Sequence, residues 1–346
     1  MEAGGIARAS VQQPQIRSLG GDRVIVTLDG VRQNFNSGHR GRFFFEPELL
    51  RQVDVLRGPA SMLYGSGAIG GVIALRTTEA ADIIRPGRAT GFLLSQGYDT
   101  NGGRCRSTAA GAFREGQVDG LIAYTRNAGN NLVDGAGRTI PFTDPTTQTL
   151  LARGGWSPRP GMPLGLSVLN RWEDQVIPAA ANTFDTSNIT DRRLGAMQIA
   201  LDFAWAPPDN PWLDLRANLY RNAVDIREQR IIPNDGRRDT TELETWGFSL
   251  QNTARFSLLA DQRHALTFGV DGYRDTQRGT RNGAPRPQFP RAGQDVLGVF
   301  MQNEITWGRA TILAGLRYDR FEQSARGLPS RTSAVACPHR VVRCQS

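Results

Sequence analysis

From Thr90 onward the chain alternates apolar and polar residues in runs of about ten, with breaks between runs. The segment WLDLRANLY shows the plan. Leu213, Leu215, Ala217 and Leu219 fall on one face, and Asp214, Arg216, Asn218 and Tyr220 on the other. A period of two marks a strand lying between two different environments. The alternation predicts eleven strands, over residues 90–99, 104–114, 118–128, 147–156, 164–173, 193–205, 213–225, 241–256, 264–275, 295–307 and 309–321.

The connections sharpen the picture. Short turns (REGQ, SPRPGM, APPDNP, LLADQRH, WGRA) alternate with long polar loops at about 129–146, 174–192, 226–240 and 276–294, after one short first loop at GYDTNGG. Successive connections of an antiparallel meander lie at opposite ends, so the short turns share one rim and nearly all the long loops the other. That distribution, with Trp156, Trp172, Trp205, Trp212, Trp246 and Trp307 near strand ends, is the signature of a transmembrane β-barrel with interfacial aromatic girdles. A sandwich also alternates, but Asp, Arg and Asn recurring on the inner face suit a wet lumen better than a dry core.

Before Thr90 the pattern differs. RVIVTLDGVRQN and ELLRQVDVLRGPASMLYGSGAIGGVIALRT read as a small α+β unit of short strands and one short helix begun by Pro59. Gly65, Gly67 and Gly70 spell G-x-G-x-x-G, the spacing of a dinucleotide-binding turn. That turn needs a strand before the glycines and a helix after them. Here the order is reversed, and the glycines are expected to let backbone pack tightly before a buried strand.

Composition excludes several classes. Apolar residues make up 39%, Gly numbers 39 and mean hydropathy is −0.39, which leaves no room for an apolar helix of about twenty residues. The net charge of +8 comes from 41 basic residues, all Arg, scattered singly and near acids as in LRYDRFEQ. They make no phosphate-binding patch, so nucleic acid is not an expected partner. Three cysteines, Cys105, Cys337 and Cys344, give no disulfide framework. Cys337, His339 and Cys344 fall short of a closed zinc site. No paired base and nucleophile, metal cluster or phosphate loop supports an enzyme.

VDVLRGPASMLYGSGAIGGVIALRT resembles the closing motif of the plug domain in TonB-dependent outer-membrane receptors. IRSLGGDRVIVTLDGVRQ resembles the plug segment before it, and LAGLRYDRF a typical barrel strand. The resemblance implies a mainly β protein: an incomplete α+β plug over 1–86, part of an antiparallel transmembrane barrel over 87–325, and an aberrant or disordered tail over 326–346. Eleven strands are half of the family's twenty-two. Met1–Ser10, MEAGGIARAS, carries no secretory signal. The resemblance therefore implies that the family's signal peptide and TonB-engaging segment have no counterpart in this chain. In PSRTSAVACPHRVVRCQS the alternation stops, as a reading-frame change near Ser330 would make it.

Within the family, NFNSGHRGRFFFEPELLRQVDVLRGP is most similar to the haem and haemoglobin receptors. That likeness implies a bacterial outer-membrane receptor for haem, free or from haemoglobin, with haem as cargo rather than a permanent cofactor and with outer-membrane lipid and, in the full-length receptor, the TonB complex as partners. It places a haem ligand at His39, in an apical plug loop, and leaves Phe43, Phe44 and Phe45 chiefly to plug packing. The family's lock between plug Arg and barrel Glu falls on Arg17 and Arg57, with Glu304 or Glu322 as partners. A siderophore or cobalamin receptor of the same family, and a soluble β-rich binding protein, are the alternatives.

Overall fold

The computed structural model describes residues 14–35, 45–179, 186–259, 261–326 and 341–345. Strands β1 (Val24–Leu28), β2 (Val31–Arg32), β3 (Leu50–Arg57) and β4 (Gly71–Thr77) form a sheet of order β2-β1-β4-β3. β1 and β4 pair in parallel, the other neighbours antiparallel. Every residue of β1 is buried, and β4 is buried at five of seven positions, as expected of apolar, β-branched runs at the middle of a sheet. The β1–β2 hairpin turns on Asp29 and Gly30, both at positive φ (51° and 78°), the type I′ geometry that matches strand twist.

The three glycines sit between a short helix α1 (Ser61–Tyr64) and β4. Gly67 has φ 103°, and a Cβ there would lie 2.9 Å from the Asp22 carbonyl oxygen. At the neighbouring Gly71 a Cβ would lie 2.1 Å from the Leu56 carbonyl oxygen. The turn is tight because other backbone occupies the space a side chain would need. A second short helix, α2 (Ala80–Ile83), is capped by Glu79 and leads to the large sheet.

That sheet comprises β5 (Thr90–Asp99), β6 (Arg104–Glu115), β7 (Val118–Ala128), β10 (Thr146–Trp156), β11 (Leu164–Pro178), β12 (Ile189–Trp205), β13 (Leu215–Ile232), β14 (Arg238–Leu259), β15 (Gln262–Arg281), β17 (Arg291–Trp307), β18 (Ala310–Arg326) and β19 (Val341–Gln345). These strands run in sequence order, each antiparallel to the next. A hairpin of β8 (Leu132–Val133) and β9 (Thr139–Ile140) lies in the β7–β10 loop, and β16 (Ala284–Pro285) pairs with β15. Among the described residues β5 and β19 are the free ends of the sheet.

All eleven expected strands are present. Seven of them extend three or more residues further at the long-loop end than the alternation predicts, and the loops expected at 174–192, 226–240 and 276–294 contract to 179–188, 233–237 and 282–290. Trp172 and Trp246 consequently lie inside β11 and β14, whereas Trp156, Trp205 and Trp307 end their strands. The tail differs from expectation as well: Val341–Gln345 is a strand on β18. β18 offers it a free row of backbone donors and acceptors, and VVRCQ carries β-branched residues that suit a strand.

Register assigns each residue to a face. Ala123, Leu151, Leu169, Gln198, Asn222, Thr245 and Asp275 lie in one row across seven strands and point toward the plug. The row one residue away, Ile122, Ala152, Val168, Ile199, Arg221, Trp246 and Arg274, points outward. The inner row begins apolar where it meets the core of the β1–β4 unit and becomes polar further round. No helix among the described residues is long and apolar enough to cross a membrane.

Candidate functional site: the seam between plug and barrel wall

The plug segment after β1 climbs the inner wall in step with β13. A Cβ on Gly30 would approach the Asn218 amide. Val31 packs with Tyr220 and Ala200, and Gln33 accepts a hydrogen bond from Asn222 (3.4 Å). Phe35, 4% exposed, packs with Val224, Ile226, Leu194 and Ala196. Alternate residues of one extended segment thus meet alternate residues of one strand, which requires the two to run side by side in the same direction. Polar cross-links fix the register. Gln33 donates to Gln198 (3.0 Å), Gln198 donates to the Leu28 carbonyl (3.1 Å), and Asn34 donates to both Asp275 oxygens (3.1 Å each).

This ladder delivers the chain to the long-loop end of the barrel at residue 35. The chain returns at Phe45, packed against the main core cluster, and at Glu46, which accepts a hydrogen bond from Arg171 Nε (3.1 Å). Arg171 also pairs with Glu173 (2.9 Å), and Glu173 with Arg192 (3.4 Å). All four side chains are at most 5% exposed. Charges at this depth are tolerated because each is paired, two guanidinium groups against two carboxylates. Glu48 adds a contact with Arg106 (3.6 Å). Residues 36–44, including His39, Phe43 and Phe44, lie outside the described residues, and both flanks of that segment are held at the long-loop mouth.

Deeper in the lumen, barrel Arg153 pairs with plug Asp29 (3.2 Å) and Glu79 (3.7 Å). Arg32 braces the glycine turn by donating to the Tyr64 and Ser66 carbonyls (3.1 and 2.8 Å), with its guanidinium 5.2 Å from the Tyr273 ring centroid. A cavity of about 440 Å³ lies beside it, lined by Arg32, Asn34, Phe35, Tyr273, Asp275 and Gln294 among others.

The expected lock residues stand elsewhere, and none of the four pairs with another across the seam. Arg17 is exposed in the turn closed by the Ile16–Leu19 bridge, and Arg57 is exposed at the end of β3. Glu304 shares the lumen face of the short-turn end with Arg255 and Arg263. Glu322 is a correction. It lies opposite outward-facing Asp295 and pairs with Arg320 (2.5 Å), so it faces away from the plug. Among the described residues, ion pairs of the opposite polarity cross the seam: plug Asp29, Glu46, Glu48 and Glu79 meet barrel Arg153, Arg171 and Arg106. Sequence reading missed them because partners such as Glu46 and Arg171, 125 positions apart, are joined only by register. His264 stacks on Phe256 (4.9 Å) at the short-turn end, far along β15 from the mouth.

Comparison with known proteins agrees with this arrangement. Residues 4–72 match the model of the TonB-dependent receptor plug domain, and residues 95–339 match that of the TonB-dependent receptor-like β-barrel. A hemin receptor of Yersinia enterocolitica is 33% identical over 93% of this chain and 47% of its own length. Heme/hemopexin utilization protein C of Haemophilus influenzae is 29% identical over 93% of this chain and 51% of its own. The chain spans about half the length of the curated relatives it matches. Among solved structures, the Serratia marcescens hemophore receptor HasR, in complex with its hemophore HasA and heme, superposes with a TM-score of 0.78 at 25% identity, covering 94% of this chain and 50% of that one. With a plug sheet held by its own ion pairs against the inner face of a meandering barrel, the chain belongs to the family of TonB-dependent receptors.

Proposed function

We propose that the protein serves haem uptake across the bacterial outer membrane, with His39 as a ligand to haem iron during capture. The observation that carries the reading is the burial of both flanks of residues 36–44. Phe35 before that segment and Glu46 after it are buried against the barrel wall toward the long-loop mouth, so the two flanks of the segment that carries His39 are fixed there. Neutral imidazole is a common ligand of haem iron, and the haem and hemin names of the relatives support that cargo. Haemoglobin or another haem carrier is the proposed source, and the TonB complex the proposed source of energy.

Titrating the protein with haemin and following the Soret band tests the reading. Saturable binding is expected, weakened at least about tenfold by His39→Ala through loss of one axial ligand. Unchanged affinity in the variant would remove the role of His39, and no Soret shift in the parent protein would remove haem as the cargo.

A further inference from the structure

At the long-loop mouth the lumen face of β13–β15 carries a charged cluster separate from the ion pairs that hold the plug. Asp239 of β14 stands opposite Glu228 on β13 and Arg281 on β15, all on the inward face, and both carboxylates are buried. Three arginines converge on Asp239. Arg237 Nε donates to both of its oxygens (3.2 and 3.1 Å), Arg281 Nε donates to Oδ1 (2.9 Å), and Arg286 Nη2 lies 3.3 Å from Oδ2. Arg286 comes from the 282–290 loop, which folds back so that its backbone N–H donates to the Gly279 carbonyl (3.0 Å). Its guanidinium sits 4.9 Å from the Phe289 ring centroid.

The cluster holds more donors and more positive charge than its own carboxylates use. Arg230 is taken by Asp235 (2.9 Å), which leaves three guanidinium groups against Asp239 and Glu228, an excess of one positive charge at this level of the wall. Arg286 is 2% exposed, and its Nη1 has no hydrogen-bond partner among the described residues. One inward step below Asp239, the buried Thr241 hydroxyl has none there either. A buried guanidinium with an unused N–H is costly unless an acceptor reaches it. Residues 36–44 contain Arg40 and Arg42 and no acid, so that plug segment supplies no counter-charge. Arg237 and Arg281 stay reachable from the lumen, with side chains 23% and 38% exposed. A carboxylate fits this set, because one negative charge balances the excess and its two oxygens match the guanidinium fork.

The position agrees with that chemistry. Phe35, the last plug residue before the segment of His39, packs with Ile226; Ile226 faces Thr241, and Asp239 is the next inward residue toward the mouth, about 7 Å along the strand. We propose that Arg237, Arg281 and Arg286 form a carboxylate subsite of the lumen wall and that haem occupies it with a propionate, so that the wall holds the edge of the porphyrin while the plug faces its iron. The proposal rests on the reading of haem as the cargo.

The test titrates the protein with haemin and with haemin dimethyl ester, in which both propionates are blocked, and follows the Soret band. The parent should bind haemin about tenfold more tightly than the ester. In a variant carrying Arg281→Gln and Arg286→Gln the two ligands should bind equally, with the affinity for the ester unchanged from the parent. Arg227→Gln, which removes one outward-facing positive charge of β13, should keep the tenfold preference. Equal binding of haemin and ester by the parent, or a preference that survives in the double variant, would overturn the subsite and leave haem as the cargo. So would an equal loss of both ligands in the double variant, the mark of a merely structural cluster, or a loss of preference in Arg227→Gln, the mark of net charge. No Soret shift with either ligand in the parent would overturn the haem reading, and the subsite with it.

Discussion

Arg153 on the barrel wall and Asp29 at the tip of the plug hairpin form a pair 3.2 Å long, and Asp29 also accepts hydrogen bonds from the Thr77 N–H (2.9 Å) and hydroxyl (2.7 Å). One carboxylate therefore joins β1, β4 and the wall. Asp29→Ala leaves the Thr77 N–H and part of the Arg153 guanidinium without an acceptor, an expected loss of about 2–4 kcal/mol. Asp29→Asn keeps an acceptor for Thr77 and should lose less. Urea unfolding of the reconstituted protein measures both, and a double-mutant cycle with Arg153→Ala should show coupling above about 0.5 kcal/mol.

Arg171 is shared by Glu46 of the plug and Glu173 of the wall. Removing it as Arg171→Ala leaves two buried carboxylates facing one another, and the expected cost is about 3–5 kcal/mol. Arg171→Met combined with Glu46→Gln restores part of that loss, because one of the stranded charges goes too. The temperature at which the plug becomes susceptible to protease, compared across the three proteins, checks the order: parent, then double variant, then single.

Tyr220 lies across Gly247 on the neighbouring strand. A Cβ at position 247 would be 2.2 Å from the Tyr220 ring carbon Cζ, so Gly247→Ala must push the ring toward Val31 of the plug. The expected cost is about 1–3 kcal/mol. Tyr220→Ala should make Gly247→Ala nearly neutral, whereas Tyr220→Phe should not. Thermal unfolding of the four proteins distinguishes these outcomes.

Asp134, in the β7–β10 loop, accepts hydrogen bonds from the backbone N–H of Arg138 and Ala136 (2.9 Å each) and from Arg138 Nε (2.8 Å). The Arg138 backbone bond, with the Arg138 side chain next, holds its carboxyl below the usual range. A depressed carboxyl contributes loop order that is fully present above the unfolded value of about 3.9 and is lost as pH falls through the lower folded value. Amide exchange at Ala136 and Arg138 should therefore be slow at pH 5 and accelerate only below about pH 4. Asp134→Asn should remove the pH dependence.

What the sequence revealed follows from which positions face lipid. Leu215 and Leu219 alternate with Arg216 and Tyr220 because outward positions within the apolar band must be apolar, so β13 was legible there. Beyond Leu219 the outward residues include Arg221, Asp225 and Arg227, while the inward ones include the buried Val224 and Ile226, so the apolar side chains change faces and the strand continues to Ile232 without one sustained alternation. The plug was legible through its motifs and its tight glycine turn. The seam was not: Gln33 meets Gln198 and Asn34 meets Asp275 across 165 and 241 positions, and small changes of register would pair different residues.

The parallel pairing of β1 with β4 decides how the plug responds to a pull. Glu79, two residues after β4, is tied to the wall through Arg153, and Gln33, just after β2, is tied through Gln198. A force drawing the chain from the N-terminal side of Val24 loads β1 against β4 in shear, because parallel strands gripped at opposite ends stretch all their shared hydrogen bonds at once. The same force on the antiparallel β1–β2 hairpin separates its bonds one after another. Withdrawal is therefore resisted first by the β1–β4 seam, and the β1–β2 hairpin, which cannot open while β1 is held on β4, unzips easily once that seam has given way. Single-molecule pulling from residue 14 should record the high-force step first and the low-force one after it, and a low-force first step would show that the β1–β4 pair does not carry the load.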